Sequence, residues 1–168
     1  VVQNNIFVLC KTPMAKSITK RTLVGFRDVS INTRYFENMI HQISDRPEKF
    51  IEKIRKGQSY WKANNKNNMK FNAIVGNPPY QVMDGGNSVS AKPVYHLFVD
   101  IAKSINPDYF SVIMPARWYA GGKGLDTFRE TMLNDKSISI LFEYPNSNDC
   151  YTYVDIAGGL CYFLWDKE

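Results

Sequence analysis

Phe71-Asn72-Ala73-Ile74-Val75-Gly76-Asn77-Pro78-Pro79-Tyr80 is the stretch on which the fold turns. Its first six residues form a short apolar run of the kind that buried parallel strands show, and the run ends directly in Asn-Pro-Pro-Tyr. Downstream, Val94, Leu97, Phe98, Ile101, Ala102 and Ile105 recur at helical spacing as far as Pro107, which predicts an amphipathic helix. Tyr109 to Met114, ended by Pro115, reads as a second buried strand, so the order strand, helix, strand predicts a parallel crossover unit. Leu125, Phe128, Met132 and Leu133 predict another helix, and Ile138 to Tyr144 a strand. After a loop from Pro145 to Thr152 and the Gly158-Gly159 pair, Leu160 to Trp165 predicts a last strand. This alternation predicts an α/β fold with a doubly wound, mostly parallel sheet.

Upstream, Ile6 to Leu9 reads as a short strand, followed by a helix that Thr12 caps, Pro13 opens and Gly25 ends. Tyr35, Phe36, Met39, Ile40 and Ile43 predict a second helix before Asp45. Asp45 and Glu48 form a capping-box pattern around Pro47, with Phe50, Ile51 and Ile54 on one face and Gly57 as the stop, which predicts a third. From Gly57 to Lys70 the chain turns polar, with Asn64, Asn65, Asn67 and Asn68 crowded together, and predicts an exposed connection. The sequence thus divides into a basic, helix-rich part at 1–70 and a second part at 71–168.

The chain has 168 residues, 44% hydrophobic and 22% charged, the composition of an ordinary globular domain rather than a disordered segment. No apolar run approaches the ~20 residues of a bilayer crossing, nor is there a leader with a cleavage site; the expectation is a cytoplasmic protein with no membrane partner. Cys10, Cys150 and Cys161 are widely spaced without a CxxC pair, so neither a disulfide framework nor a metal site is expected. Residues 1–70 hold 14 Lys/Arg against 5 Asp/Glu, a net +9, whereas residues 71–168 hold 7 against 11, a net −4. A basic part of this kind can supply phosphate contacts to nucleic acid, although a solvated Lys-rich helical face would give the same count.

Ligands of open α/β sheets sit beyond the carboxyl ends of the strands, which is where Asn77-Pro78-Pro79-Tyr80 falls. Each proline fixes φ and lacks an N–H, so Pro78 and Pro79 make the turn rigid and leave the carbonyl ahead of it free. The Asn77 side-chain carbonyl and the Pro78 backbone carbonyl can both accept hydrogen bonds from one planar –NH₂ group. An aromatic amine is a poor nucleophile because its lone pair is delocalised. Two acceptors favour a more tetrahedral nitrogen and stabilise the positive charge that develops on it in the transition state. Tyr80 offers a ring face for a planar base, a contact worth about 1–3 kcal/mol. An isolated Asn-Pro-Pro-Tyr could be an ordinary loop; the strand before it and the helix and strand after it make it a candidate site.

The segment Phe71 to Gln81 resembles the FDxIxGNPPYQ pattern of the amino-group DNA methyltransferases, in particular the adenine-modifying methylases of restriction-modification systems, with Asn72 where that family usually has Asp. The resemblance continues through Tyr95, Leu97 and Phe98, Pro115-Ala116-Arg117-Trp118 and Gly158 to Trp165. It implies an S-adenosylmethionine-dependent, Rossmann-like methyltransferase fold, incomplete in this chain, with residues 71–168 as its catalytic half. By the same resemblance, Asn77, Pro78, Pro79 and Tyr80 hold a target adenine rotated out of double-stranded DNA, and Asn77 also borders the methyl donor. Tyr151, or alternatively Tyr153, packs on the other side of the base, and Arg117 and Trp118 line the same cleft.

The resemblance further implies S-adenosylmethionine as cofactor and a restriction endonuclease or a specificity domain or subunit as partner. Ile6 to Gly25 is similar to the family's second strand and helix, but Cys10-Lys11 stands where an acidic residue is expected, and no glycine-rich donor turn precedes residue 71. Gly121-Gly122-Lys123-Gly124 follows the wrong strand to replace it and is expected to be a mobile loop. A chain truncated at both ends, with little donor binding or methylation on its own, is therefore expected. Two other readings share the motif: a methyltransferase acting on a glutamine amide or an RNA base, and a non-catalytic scaffold or DNA-binding remnant of the fold.

Overall fold

The computed structural model describes residues 2–57, 60–61, 68–83 and 91–167. The chain forms two compact units, Val1–Lys70 and Phe71–Glu168. In the first, α1 (Val2–Asn5) leads into β1 (Phe7–Cys10), α2 (Pro13–Val24) and β2 (Asn32–Tyr35), and β1 and β2 pair in parallel with Phe7 opposite Asn32 and Cys10 opposite Tyr35. The Ala15 amide donates to Thr12 Oγ1 at 3.1 Å, Pro13 opens α2 and Gly25 closes it at φ 63°, the cap chemistry that the sequence carries.

Where a helix is expected from Tyr35, the chain instead completes β2, and α3 (Met39–Asp45) begins only at Met39. The strand has no apolar run to reveal it. Asn32 and Thr33 are buried at 3% and 7% exposure, and Asn32 is accommodated by donating its side-chain amide to the Gln3 carbonyl at 2.6 Å, which offsets the cost of removing a polar group from water. The capping box does not form either: Asp45 ends α3, and Arg46 stands at the start of α4 (Pro47–Arg55) without a side-chain cap.

Most of the polar connection, including Asn64, Asn65 and Asn67, lies outside the described residues. Its beginning is not an exposed loop. Trp61 is 1% exposed, donates its indole N–H to the Ile54 carbonyl at 2.6 Å and meets Phe7 edge-on at 5.3 Å. Tyr60 stacks on Phe36, which packs on Phe50, and burial pushes the Tyr60 phenol up to about 12 against the opposing pull of Arg34. Aromatic packing of this kind, with Met39, Ile43 and Ile54 beside it, builds the core of the first unit.

The second unit is a mixed α/β layer. Its strands are β3 (Ala73–Gly76), β6 (Tyr109–Pro115), β7 (Ile138–Tyr144) and β8 (Leu160–Asp166), in the spatial order β3-β6-β8-β7. β3 and β6 pair in parallel, whereas β8 pairs antiparallel with both β6 and β7. The sheet is thus mixed rather than the expected doubly wound, mostly parallel one: β3, β6 and β7 point the same way, but only one of the three pairings is parallel. The reason is topological: the crossover through α6 (Asp126–Leu133) leaves a slot between β6 and β7, and the chain returns along it. A short antiparallel pair, β4 (Gln81–Met83) with β5 (Ala91–Pro93), follows the Asn-Pro-Pro-Tyr turn.

Between β5 and β6 lies α5 (Tyr95–Ile105), which packs with α6 on one face of the sheet. Tyr95, Val99, Ala102, Phe128 and Met132 meet Phe110, Val112, Met114, Cys161 and Phe163 there. The inward stripe of α5 is thus rotated from the expected one, for Leu97 and Phe98 are only half-buried. β3 lies at the border of the sheet, so Val75 is 82% exposed although its apolar neighbours suggest a buried strand. The cysteines are free thiols, and no helix among the described residues is long and apolar enough to cross a membrane.

Asp135, just beyond α6, ties this unit together by accepting from Lys103 Nζ at 2.5 Å, the Trp165 indole at 3.0 Å and the Ser137 amide at 2.9 Å. Burial by itself would raise its carboxyl, but Lys103 and the other donors outweigh it and hold the group below its ordinary value. A depressed folded value contributes stability above the unfolded carboxylate value, and that contribution is lost as pH falls through the folded one. Asp135→Asn should cost of order 1 kcal/mol at pH 7 after solvent screening. Denaturant titrations at pH 7 and near pH 3 should show the difference from wild type shrinking in acid.

Candidate active site

The carboxyl ends of β3, β6 and β7 and the amino end of β8 meet at one edge of the second unit, with Pro115 and Tyr144 both opposite Leu160. Three connections therefore share this edge: the Asn-Pro-Pro-Tyr turn after β3, the segment 116–125 after β6, and the loop 145–159 that leads into β8.

Asn77 is exposed, Pro78 is buried, and Pro79 and Tyr80 are half-buried. The Asn77 amide nitrogen donates to the Tyr151 hydroxyl at 3.0 Å. Neither Asn77 Oδ1 nor the Pro78 carbonyl accepts a hydrogen bond among the described residues. Two lone-pair sites thus remain available side by side along the chain. The turn is held from behind, where the Val94 amide donates to the Tyr80 carbonyl at 3.1 Å just after β5. At its start the Asn72 carbonyl accepts from the Asp108 and Tyr109 amides. Asn72 also donates to the Asp108 carboxylate at 2.7 Å, a contact that a second carboxylate at position 72 would turn into repulsion.

The Tyr80 hydroxyl is buried without a hydrogen-bond partner among the described residues, yet it lies close to the Tyr151 phenol. Burial first, and Tyr151 second, push the Tyr80 phenol far above its ordinary value, so it stays protonated. Tyr151 is half-buried and meets Asn77, whereas Tyr153 is 95% exposed at φ 65°. The structure brings the first of these two tyrosines, and not the second, to the turn.

Arg117 is exposed at the same edge, its backbone 3.7 Å from where a Cβ on Gly158 would stand. The structure does not bring Trp118 to the surface of this edge. At 1% exposure it sits in the core, with its indole N–H on Cys161 Sγ at 3.4 Å and its ring edge-on to Phe128, because the 3₁₀ turn Ala116–Ala120 folds it back over β8. Burial raises the Cys161 thiol, against the opposing hydrogen bonds of Trp118 and Tyr119. Gly121, Gly122, Lys123 and Gly124 all adopt positive φ, and Asp126 Oδ1 accepts from the Gly122 amide at 2.9 Å.

Ser147, a residue that the sequence does not single out, organises the loop 145–159. It is 2% exposed, donates from Oγ to the Val154 carbonyl at 2.6 Å and accepts from the Ile156 amide at 3.0 Å, while its carbonyl accepts from the Tyr151 amide at 2.9 Å. A serine between two asparagines carries no signal of this in the sequence. Gly159 closes the loop at φ 73°, where a Cβ would run into the Tyr144 carbonyl oxygen and lie 2.8 Å from that of Pro145.

Residues 4–151 match the family of Eco57I restriction-modification methylases, and the chain belongs to that family. The match reaches back across the first unit, well before the Asn-Pro-Pro-Tyr segment. A relative from Mycoplasma pneumoniae, described as an uncharacterized adenine-specific methylase, is 32% identical over 138 residues, which cover 80% of this chain and 30% of the relative. The matched stretch is thus less than a third of that protein.

Ser147→Ala should leave the Val154 carbonyl and Ile156 amide without their buried partner and lower stability by about 1–3 kcal/mol. Denaturant unfolding measures this, with hydrogen exchange expected to rise first at the Tyr151 and Ile156 amides.

Proposed function

We propose that the protein is an adenine-specific DNA methyltransferase that transfers a methyl group to the exocyclic amine of an adenine rotated out of the duplex. The observation that carries the reading is a pair of acceptors at the carboxyl edge of the sheet, Asn77 Oδ1 and the Pro78 carbonyl, that accept no hydrogen bond among the described residues. Membership of a restriction-modification methylase family supports DNA as the substrate and a restriction endonuclease or specificity domain as partner. So does the +9 balance of residues 1–70, which includes an open groove along α3 and α4 lined by His41, Arg46, Lys49 and Lys53 together with Asp45. In this reading the sheet of the second unit is the catalytic half of a doubly wound methyltransferase sheet.

The amine donates one hydrogen bond to Asn77 Oδ1 and one to the Pro78 carbonyl, which localises its lone pair and directs it away from the turn. The Tyr80 ring takes one face of the base and the Tyr151 ring the other, while Arg117 lies at the rim. As the nitrogen takes up the methyl group it becomes cationic, both acceptors strengthen their hold, and the surplus proton leaves to solvent. S-adenosylmethionine is the donor that the family implies; it would supply an electrophilic methyl group and leave as the neutral thioether when its S–CH₃ bond breaks. Only Asn77 is assigned to the donor's side.

In the full-length protein, Asn77→Ala should lower kcat for adenine methylation in duplex DNA about 100- to 1000-fold, read as N6-methyladenine by mass spectrometry of digested DNA. Undiminished methylation by the variant would refute the clamp. Methylation of a glutamine peptide or of RNA in preference to duplex DNA would replace the substrate.

A further inference from the structure

We infer that Tyr151 is a positioning residue whose hydroxyl fixes the Asn77 side chain with its carbonyl, rather than its NH₂, turned toward the amine. The inference rests on the reading of Asn77 as an acceptor and adds the means by which it is kept one. The two ends of an asparagine amide are nearly identical in shape and opposite in hydrogen bonding. A rotation by half a turn would present two donors to a substrate group that is itself a donor, and the clamp would then repel what it has to hold. A free, exposed Asn77 has no steric reason to prefer the useful rotamer.

The second observation is the contact itself. Tyr151 Oη, 74 positions away in sequence, accepts from Asn77 Nδ2 at 3.0 Å and so occupies the end of the amide that must not face the amine. Tyr151 can do this because its own position is determined: its amide is tied to the carbonyl of buried Ser147, and its carbonyl accepts from the Val154 amide at 3.2 Å. Tyr80 stands beside the same phenol, and burial keeps the Tyr80 hydroxyl protonated. The ring of Tyr151 and its hydroxyl thus have separate tasks, the ring against the base and the hydroxyl against the amide. Phenylalanine at this position would retain only the first.

Tyr151→Phe in the full-length protein should lower kcat about tenfold and leave KM for DNA within about twofold and the thermal midpoint nearly unchanged, because the ring and the loop are kept. In an Asn77→Ala background the same change should have no further effect, since the hydroxyl acts only through that amide. A silent Tyr151→Phe, or one whose effect adds in full to that of Asn77→Ala, overturns the positioning role and leaves the clamp standing. Loss of the clamp shows separately, as an Asn77→Ala variant that methylates normally. The contact has a readout independent of turnover: in ¹⁵N-edited spectra the Asn77 Nδ2 protons should shift and exchange faster with water in Tyr151→Phe, and unchanged signals would overturn the inference as well.

Discussion

β8 lies between two strands that run against it, and the site depends on that reversal. The strands on either side deliver the loops that follow them to the carboxyl edge of the sheet. A strand inserted in the opposite sense delivers the loop that precedes it. Tyr151 therefore reaches Asn77 across 74 positions of sequence without any long excursion of the chain. The register is held by Phe163 and Cys161, wholly buried opposite Val112 and Met114. Sliding β8 by one residue would turn these side chains to the other face and carry the loop away from the turn.

Rigidity at the site is built in layers rather than in one bond. The prolines restrict the backbone of the turn, the Val94 amide holds Tyr80 from the far side, and Asn72 joins the start of β3 to the start of β6. The facing loop relies on Ser147, whose hydroxyl and carbonyl take the place of secondary structure in a segment that has little of it. Trp118 serves the same end from the core by closing the space between β8 and α6. A packed indole in this place supports the edge from within.

Much of this was legible in the sequence because local chemistry and final structure agree. The Thr12 cap, the strand before Asn77 and the order of helices and strands after it follow from spacing and turn residues. What was not legible depends on partners distant in the chain. Asn32 and Thr33 make a strand only because Gln3 and β1 receive them. Trp61 lies in a polar tract and is buried by Phe7 and Ile54. The place of β8 between β6 and β7 cannot be read from its own alternation, which fits either direction. The motif pointed to Asn77 and Pro78 as candidates, and the resemblance to Tyr151 or Tyr153, but the hydroxyl contact that distinguishes the two tyrosines is visible only in three dimensions.

The buried phenol of Tyr80 has one more consequence. A group held so far above its ordinary value does not ionise in neutral solution, and asparagine and proline side chains do not titrate over that range. In the proposed reading, the groups that would hold the substrate nitrogen therefore do not titrate near neutrality. Were such a centre to be tuned, the change would run through bond directions in the scaffold rather than through a shifted titration.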